Sequence, residues 1–238
     1  MEEKKEGIIL NTIDYKENHK IIYLLTKEGK ESLLINGAKN IKKGQSNETQ
    51  VLTKVSYIKK GNNLAKATLL ESIDYYNEIK IDIKRMAVAS YLIEVVYRFI
   101  HNDTNFIMLY NLLDKFLEEL KIANNLKLLL LEFRIKLLYF LGIEPNFKTC
   151  VHCGSKNNLV GLALRFGSME CIEHESKDNI GIYATNIIQL LYKDKTLKIN
   201  LDDNNVVDYL SDLIDKYYSY HLNDKIKSEK MLVDLNLY

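Results

Sequence analysis

Short apolar runs separated by polar turns dominate the first third of the chain. Aliphatic and β-branched side chains alternate or cluster within each run, and glycine or asparagine stands in several of the turns. The five runs are residues 7–10, 20–25, 32–35, 51–57 and 64–73. Five short strands in this span favour a small closed barrel, because closure removes the exposed edges that an open sheet would leave.

The pattern changes to a helical period near Tyr76. Apolar and small residues recur at helical spacing, and the predicted helices cover 79–97, 104–122, 124–142, 185–194 and 203–222. Thr104 is the predicted N-cap of the second helix, and Asn124 or Asn125 that of the third. Gly142 after the last turn of the third helix is a helix stop.

These patterns predict an α+β multidomain protein. Residues 1–77 are expected to form a β-barrel domain, and residues 78–238 an all-α helical domain. Residues 148–178 show little periodicity and contain the cysteines. We therefore expect this stretch to be an inserted metal knuckle within the helical domain.

Charge and hydropathy leave the class of partner open. Lysine and arginine total 33 and aspartate and glutamate 32, for a formal net charge of +1. The most apolar run, 126–141, carries four charged residues, which argues against a membrane span. The first six residues lack the apolar core of a secretory signal. We expect a cytoplasmic protein whose three cysteines stay reduced.

All three cysteines fall in one segment with metal-ligand spacing. Cys150 and Cys153 form a C-x-x-C pair, and Cys171 and His174 repeat the spacing after 17 intervening residues. Three thiolates and one imidazole match the closed four-ligand set of structural zinc (Zn²⁺), whereas catalytic zinc keeps a position open for water.

The fourth ligand stays open at this point, because other donors flank the cysteines. His152, Glu173 and Glu175 are the alternatives to His174. A knuckle that binds no metal and packs as small apolar residues is the alternative to a zinc site.

A lysine-rich segment follows the third predicted strand. Residues 39–66 contain seven lysines and one acidic residue, Glu48. A flexible cationic loop on a barrel can follow a phosphate backbone, and Tyr23 and Tyr57 on nearby strands offer faces for unpaired bases. The predicted DNA-binding residues are Lys39, Lys42, Lys43, Lys54, Lys59 and Lys60. The alternative is a solvated charged face, with the tyrosines in the core.

No catalytic motif accompanies these features. The sequence has no phosphate-binding glycine loop, no H-E-x-x-H and no G-x-S-x-G. The acidic pairs at 118–119 and 202–203 are neighbours in sequence, so their side chains do not face each other on a helix. We therefore do not expect an enzyme.

An ordered set of short motifs resembles the RecO family of bacterial DNA repair proteins. They are GIIL at 7–10, DYKEN at 14–18, GAK at 37–39, LLES at 69–72, ASYLIE at 89–94, EFR at 132–134 and YHL at 220–222. Each is weak alone, but their order spans nearly the whole chain. The chain departs from the family in two places: His174 stands where a second C-x-x-C would end, and lysines replace an arginine-rich loop.

The resemblance implies an OB-fold barrel, a zinc knuckle and a nucleoid-associated recombination mediator. Such a protein binds single- and double-stranded DNA and anneals complementary strands. With RecR, it helps to load RecA onto DNA coated with single-strand-binding protein. A zinc-knuckle adaptor that binds only proteins, and a zinc hydrolase, are the alternatives from other functional classes.

Overall fold

The computed structural model describes residues 4–39, 47–61, 65–193 and 204–237. The chain forms two compact units, Met1–Ala123 and Asn124–Tyr238. Among the described helices, none combines the length and apolar character needed to cross a lipid bilayer.

Five strands of the first unit form a closed barrel. They are β1 (Lys5–Tyr15), β2 (His19–Thr26), β3 (Gly29–Ile35), β4 (Lys54–Lys60) and β5 (Ala65–Asp74). Their order is β1-β2-β3-β5-β4, and β4 pairs back to β1. The contact between β3 and β5 is parallel, while the other pairs are antiparallel. A closed five-stranded barrel confirms the predicted OB-like class.

The barrel interior is mostly aliphatic, and the backbone conformation of Leu52 explains where β4 begins. The buried cluster is Ile9, Ile22, Leu24, Leu33, Ile35, Ala38, Val55, Tyr57, Ala65 and Leu70. The predicted strand at 51–57 starts only at Lys54, because Leu52 has a positive φ of 58°. Leu52 nevertheless stays bound to β1, since its N–H donates to the carbonyl of Ile9 at 3.0 Å.

Three helices follow the barrel within the first unit. They are α1 (Asn77–Lys80), α2 (Ile83–Phe99) and α3 (Phe106–Ile122). Asn105 caps α3 by accepting from the Met108 N–H, so the predicted cap at Thr104 is wrong by one residue. The Tyr97 ring of α2 packs edge-on to Tyr23 of β2, with centroids 5.7 Å apart. The predicted domain division after residue 77 remains a prediction.

The second unit contains four further helices within its described residues. They are α4 (Leu126–Phe140), α5 (Gly181–Lys193), α6 (Asn204–His221) and α7 (Glu229–Asp234). Asn125 caps α4 by accepting from the Leu128 N–H at 3.0 Å, which confirms one of the two predicted caps. The buried Arg134 guanidinium of α4 pairs with Asp215 of α6 and lies 5.0 Å from the centre of the Tyr218 ring.

A small sheet, absent from the sequence prediction, lies between α4 and α5 in the chain. Its strands are β6 (Asn146–Cys150), β7 (Leu159–Ala163) and β8 (Ser168–Cys171), in the order β6-β8-β7. The sheet is anchored to α5, because the N–H of Leu162 donates to the Thr185 hydroxyl at 2.8 Å. It is anchored to α6 through His221, whose Nε2 lies 2.8 Å from the Leu164 carbonyl oxygen.

Gly161 permits the close approach of β7 to the start of α5. A Cβ at this position would lie 2.2 Å from Asn179 Oδ1 and 2.8 Å from the backbone of Gly181. We therefore expect Gly161→Ala to lower the free energy of unfolding by about 2–3 kcal/mol, because overpacking forces the backbone apart.

Gly142→Ala is the matched control for this substitution. Gly142 has a φ of +69° and open space around its Cβ position, so only backbone strain of about 1 kcal/mol is expected. Urea denaturation of both variants measures the difference. Equal losses of stability would contradict the steric account of Gly161.

Candidate metal centre and nucleic-acid interface

The fold brings the four predicted metal ligands together. The donor atoms of Cys150, Cys153, Cys171 and His174 all lie within 4.8 Å of one another. The alternatives raised by the sequence are not in this cluster, which comprises these four residues alone among those described. The Cys3His set is therefore assembled in the structure.

Two neighbouring strand ends and one tight turn position the thiols. Cys150 ends β6 and Cys171 ends β8, and these strands pair in parallel with Cys150 beside Met169. The turn that follows β6 closes when the N–H of Gly154 donates to the Cys150 carbonyl at 2.9 Å. Gly154 has a φ of 69°, a left-handed conformation that favours glycine. This turn brings Cys153 back to the ends of the strands.

The separation of two of the thiols matches that of sulfur ligands on a tetrahedral zinc ion. Zinc–sulfur bonds of about 2.3 Å place two tetrahedral sulfur ligands about 3.8 Å apart. The Sγ atoms of Cys153 and Cys171 are separated by 3.8 Å. The Nδ1 atom of His174 lies 3.2 Å from the Sγ of Cys171 and 4.0 Å from that of Cys150. His174 thus presents Nδ1 to the cluster.

The backbone around the knuckle favours a thiolate at Cys150. Burial opposes ionisation, but hydrogen bonds from the backbone N–H groups of Cys153, Cys171 and His152 outweigh it and lower the pKa of Cys150 to about 6. Burial and the neighbouring thiols raise the pKa of Cys171. Since the thiolate is the form that binds metal, Cys150 is prepared to be a ligand near neutral pH.

His152 is turned toward a buried carboxylate instead of the thiols. Its Nε2 lies 3.2 Å from Oε1 of Glu170, whose side chain is fully buried. Oε2 of Glu170 accepts from the N–H and hydroxyl of Ser176, both at 3.0 Å, and from Asn179 Nδ2 at 3.1 Å. Burial acts to raise the pKa of Glu170, yet the hydrogen bonds from Ser176, Asn179 and His152 hold that pKa below its usual range.

Lys39 lies beside the turn between β1 and β2. Its Nζ is 3.0 Å from Asp14 Oδ2, and its backbone N–H donates to the Asn18 carbonyl at 3.3 Å. Two residues earlier, the N–H of Gly37 donates to His19 Nδ1 at 3.1 Å. The start of the lysine-rich loop is thus fixed to the barrel. The predicted residues Lys42 and Lys43 lie outside the described residues.

Lys54 lies between the barrel and α3. Its Nζ donates to both carboxylate oxygens of Asp114, at 2.8 and 2.9 Å, and its side chain is 17% exposed. The Tyr76 hydroxyl donates to the same carboxylate at 3.3 Å. Lys54 therefore ties β4 to α3, and most of its charge is directed inward.

Lys59 is also paired within the barrel. Its Nζ donates to Glu31 Oε2 at 2.7 Å, and the hydroxyl of Tyr57 donates to the same oxygen at 3.0 Å. Tyr57 itself is fully buried. The hypothesis that Tyr57 stacks on unpaired bases is therefore wrong. The ring of Tyr23 packs against Tyr97, which leaves it partly buried.

Lys60 and Lys66 form a cationic pair on the barrel surface. They lie opposite each other on β4 and β5, and both side chains are exposed. Lys66 is also the register partner of Leu34, close to the end of β3. Lys66, with Lys60 opposite it, thus lies near the C-terminal end of β3, which Lys39 follows by four residues, whereas Lys54 faces α3.

Sequence reasoning missed the carboxylates that organise these sites. Asp114 and Glu31 are ordinary acidic residues in a helix and a strand, and no spacing rule links them to Lys54 or Lys59. The sequence gives one weak indication of the role of Glu170, because it is the one charged residue in the buried strand S-M-E-C. A charge at a buried strand position requires dedicated partners.

Comparison with known proteins agrees with this architecture. Residues 1–76 match the family profile described as Recombination protein O N terminal. Residues 81–230 match the profile described as Recombination protein O C terminal.

Similar proteins come from several bacilli. A DNA repair protein RecO from Bacillus cytotoxicus is 26% identical over 245 aligned residues, covering 99% of this chain and 98% of that protein. Proteins of the same name from Bacillus cereus AH187 and Bacillus anthracis are 31% identical over 202 residues, covering 81% of this chain and 80% of theirs. The two profile matches and these similarities, which cover 81% to 99% of the chain, show that the chain belongs to the RecO family of DNA repair proteins.

Proposed function

We propose that this chain is a recombination mediator that acts by binding and exchange, without bond chemistry. It binds single- and double-stranded DNA and brings complementary strands together. With RecR, it promotes loading of RecA onto DNA coated with single-strand-binding protein. It does so in the cytoplasm, at the nucleoid. Membership of the RecO family carries this proposal.

The cationic surface near the end of β3 supports the DNA-binding part of the proposal. Exposed lysines on a closed OB-like barrel neutralise phosphates, and each neutralised phosphate releases counterions. Lys60 and Lys66 are neighbours across the strands, although like charges in such pairs repel. Two exposed cationic side chains at paired positions favour this surface as a contact for the DNA backbone.

The predicted lysines differ in how readily they can leave their carboxylate partners to bind a phosphate. The partner of Lys39, Asp14, has a side chain that is 68% exposed, so water already weakens this pair. The pair of Lys54 and Asp114 is better shielded, with exposed fractions of 17% and 26%. We infer that Lys39 exchanges its carboxylate for a phosphate readily, while Lys54 retains a structural role.

The cluster of Cys150, Cys153, Cys171 and His174 is proposed to hold structural zinc. When bound, the ion supplies a cross-link between the two ends of the 150–174 segment. Four protein donors leave no open position for a reacting water, so we assign the metal no catalytic role.

The DNA-binding surface is tested by the triple variant Lys39, Lys42 and Lys43→Glu. We expect single-strand binding at physiological salt to weaken by 10-fold or more, about 1.4 kcal/mol, and the slope of log affinity against log salt to become shallower. Fluorescence anisotropy with a labelled oligonucleotide measures both, and annealing of complementary strands is expected to slow in parallel.

The control carries the same charge change on exposed lysines of the second unit: Lys156, Lys193 and Lys230→Glu. This control is expected to lose less affinity than the loop variant. Equal losses of DNA affinity in the two triple variants would mean that binding depends on the net charge of the chain and not on this surface. A wild-type chain with no DNA affinity and no salt slope would favour the protein-only adaptor.

The metal site is tested by elemental analysis and chelation. We expect one zinc per chain and a melting temperature that falls by about 10 °C on chelation, because a ligand at 1,000 times its dissociation constant stabilises by about 4 kcal/mol. Cys171→Ser is expected to lose the metal, whereas His101→Ala, outside the cluster, keeps it. A wild-type chain purified without bound zinc that also takes up none would contradict the assignment.

Lys54 is expected to matter more for stability than for DNA binding. Lys54→Gln removes the charge facing Asp114 and should lower the free energy of unfolding by about 1–2 kcal/mol. Lys66→Gln, on the exposed surface, is expected to cost less than about 0.5 kcal/mol while weakening DNA binding more. Thermal denaturation and anisotropy on both variants test this division, and the reverse pattern would refute it.

A further inference from the structure

The buried carboxylate of Glu170 lies next to the metal cluster without being part of it. Glu170 precedes Cys171 on β8, and its side chain has no exposure to solvent. An ionised group in such a place is unfavourable unless several donors surround it. The Glu170 carboxylate has four hydrogen-bond contacts, which come from three residues.

The three donor residues belong to three separate pieces of the ligand-bearing segment. His152 lies in the turn between Cys150 and Cys153, at 3.2 Å from Oε1. Ser176 lies two residues beyond His174 and bonds to Oε2 through both its N–H and its hydroxyl. Asn179 precedes α5 and donates to Oε2 at 3.1 Å, and it also donates to the Gly161 carbonyl at 3.3 Å.

We propose that Glu170 is the positioning residue of the cluster, holding both ligand-bearing loops in register and keeping the His152 imidazole turned away from the thiols. The proposal rests on the zinc site proposed above for its effect on metal affinity. The effect on loop geometry belongs to the chain itself and does not require a bound ion.

The contacts of Glu170 also determine which of two imidazoles faces the thiols. His152 and His174 lie near each other, with ring centroids 5.4 Å apart, so both are within reach of one ion after a small change of the turn. The carboxylate engages Nε2 of His152, whereas Nδ1 of His174 faces the thiols. Without the carboxylate, His152 is free to compete as the fourth ligand.

The decisive substitution is Glu170→Met, which keeps an unbranched side chain of similar volume but removes both acceptors. Metal affinity is expected to fall 10- to 100-fold, the range typical of lost partners behind a metal site. Titration with Co²⁺, followed by its visible absorption and by competition with a chelator, measures this. Glu175→Met, at an exposed position with the same change of charge, is the control and should bind as wild type.

Glu170→Gln tests whether acceptor geometry matters more than charge. The amide oxygen can still accept from Ser176 and Asn179. The amide N–H can donate to His152 if that neutral ring carries its proton on Nδ1. We expect this variant to retain most of the affinity lost in Glu170→Met. If Glu170→Met does not fold, Ser176→Ala, which removes one of the four donors, is expected to lower affinity about 3- to 5-fold.

Thiol reactivity separates this proposal from the zinc assignment. Cys150 and Cys171 are buried and Cys153 is exposed. In chelated, reduced wild-type protein we expect one thiol to react with a disulfide reagent about 10 times faster than the other two. In Glu170→Met all three should react at similar, fast rates.

Each outcome of these measurements is informative. Wild-type protein that binds neither Co²⁺ nor Zn²⁺ but still shows protected thiols, lost in Glu170→Met, would remove the zinc site and keep the positioning role. Equal thiol protection and equal metal affinity in wild type and Glu170→Met would overturn the proposal while leaving the zinc site intact.

Discussion

Closure of the barrel depends on the pairing of β1 with β4 as well as with β2. Residues 5–8 of β1 pair with β4, and residues 8–15 pair with β2. The register shifts between Ile9 and Asn11, and such an irregularity bends a strand and increases its twist. The closed barrel has no free edge, and its strands fix the loops at its rim. The places of Lys39, Lys60 and Lys66 near the end of β3 follow from this closure.

Ion pairs separate the lysines of this one sequence segment into exposed pairs and shielded pairs. Lys39, Lys54 and Lys59 each meet a carboxylate from a distant part of the chain: Asp14, Asp114 and Glu31. An exposed pair contributes less than about 1 kcal/mol, so a phosphate can replace its carboxylate. A shielded pair resists exchange because either charge would be left poorly solvated. The proposed binding of DNA and the cohesion of the first unit therefore depend on different members of the same lysine-rich segment.

The metal cluster shows a similar division between ligands and their supports. Spacing predicted Cys150, Cys153 and Cys171 as ligands and favoured His174 as the fourth, because two residues between ligands suit a narrow turn around one ion. The supports were not identifiable, since Glu170 reaches Ser176 and Asn179 through loop geometry that has no period. The small sheet beneath them was also missed, because strands of four and five residues are too short to show alternation.

Local sequence patterns predicted most of the barrel strands, the long helices, the N-cap at Asn125, the helix stop at Gly142 and the four candidate metal ligands. These features depend on neighbours within a few residues, where propensity and spacing act directly. Long-range packing, in contrast, places Tyr57 in the core, Lys54 against Asp114 and His152 against Glu170. These contacts join residues 18 to 60 positions apart or depend on burial. The local sequence does not specify which distant group will bury a charged side chain or an aromatic ring.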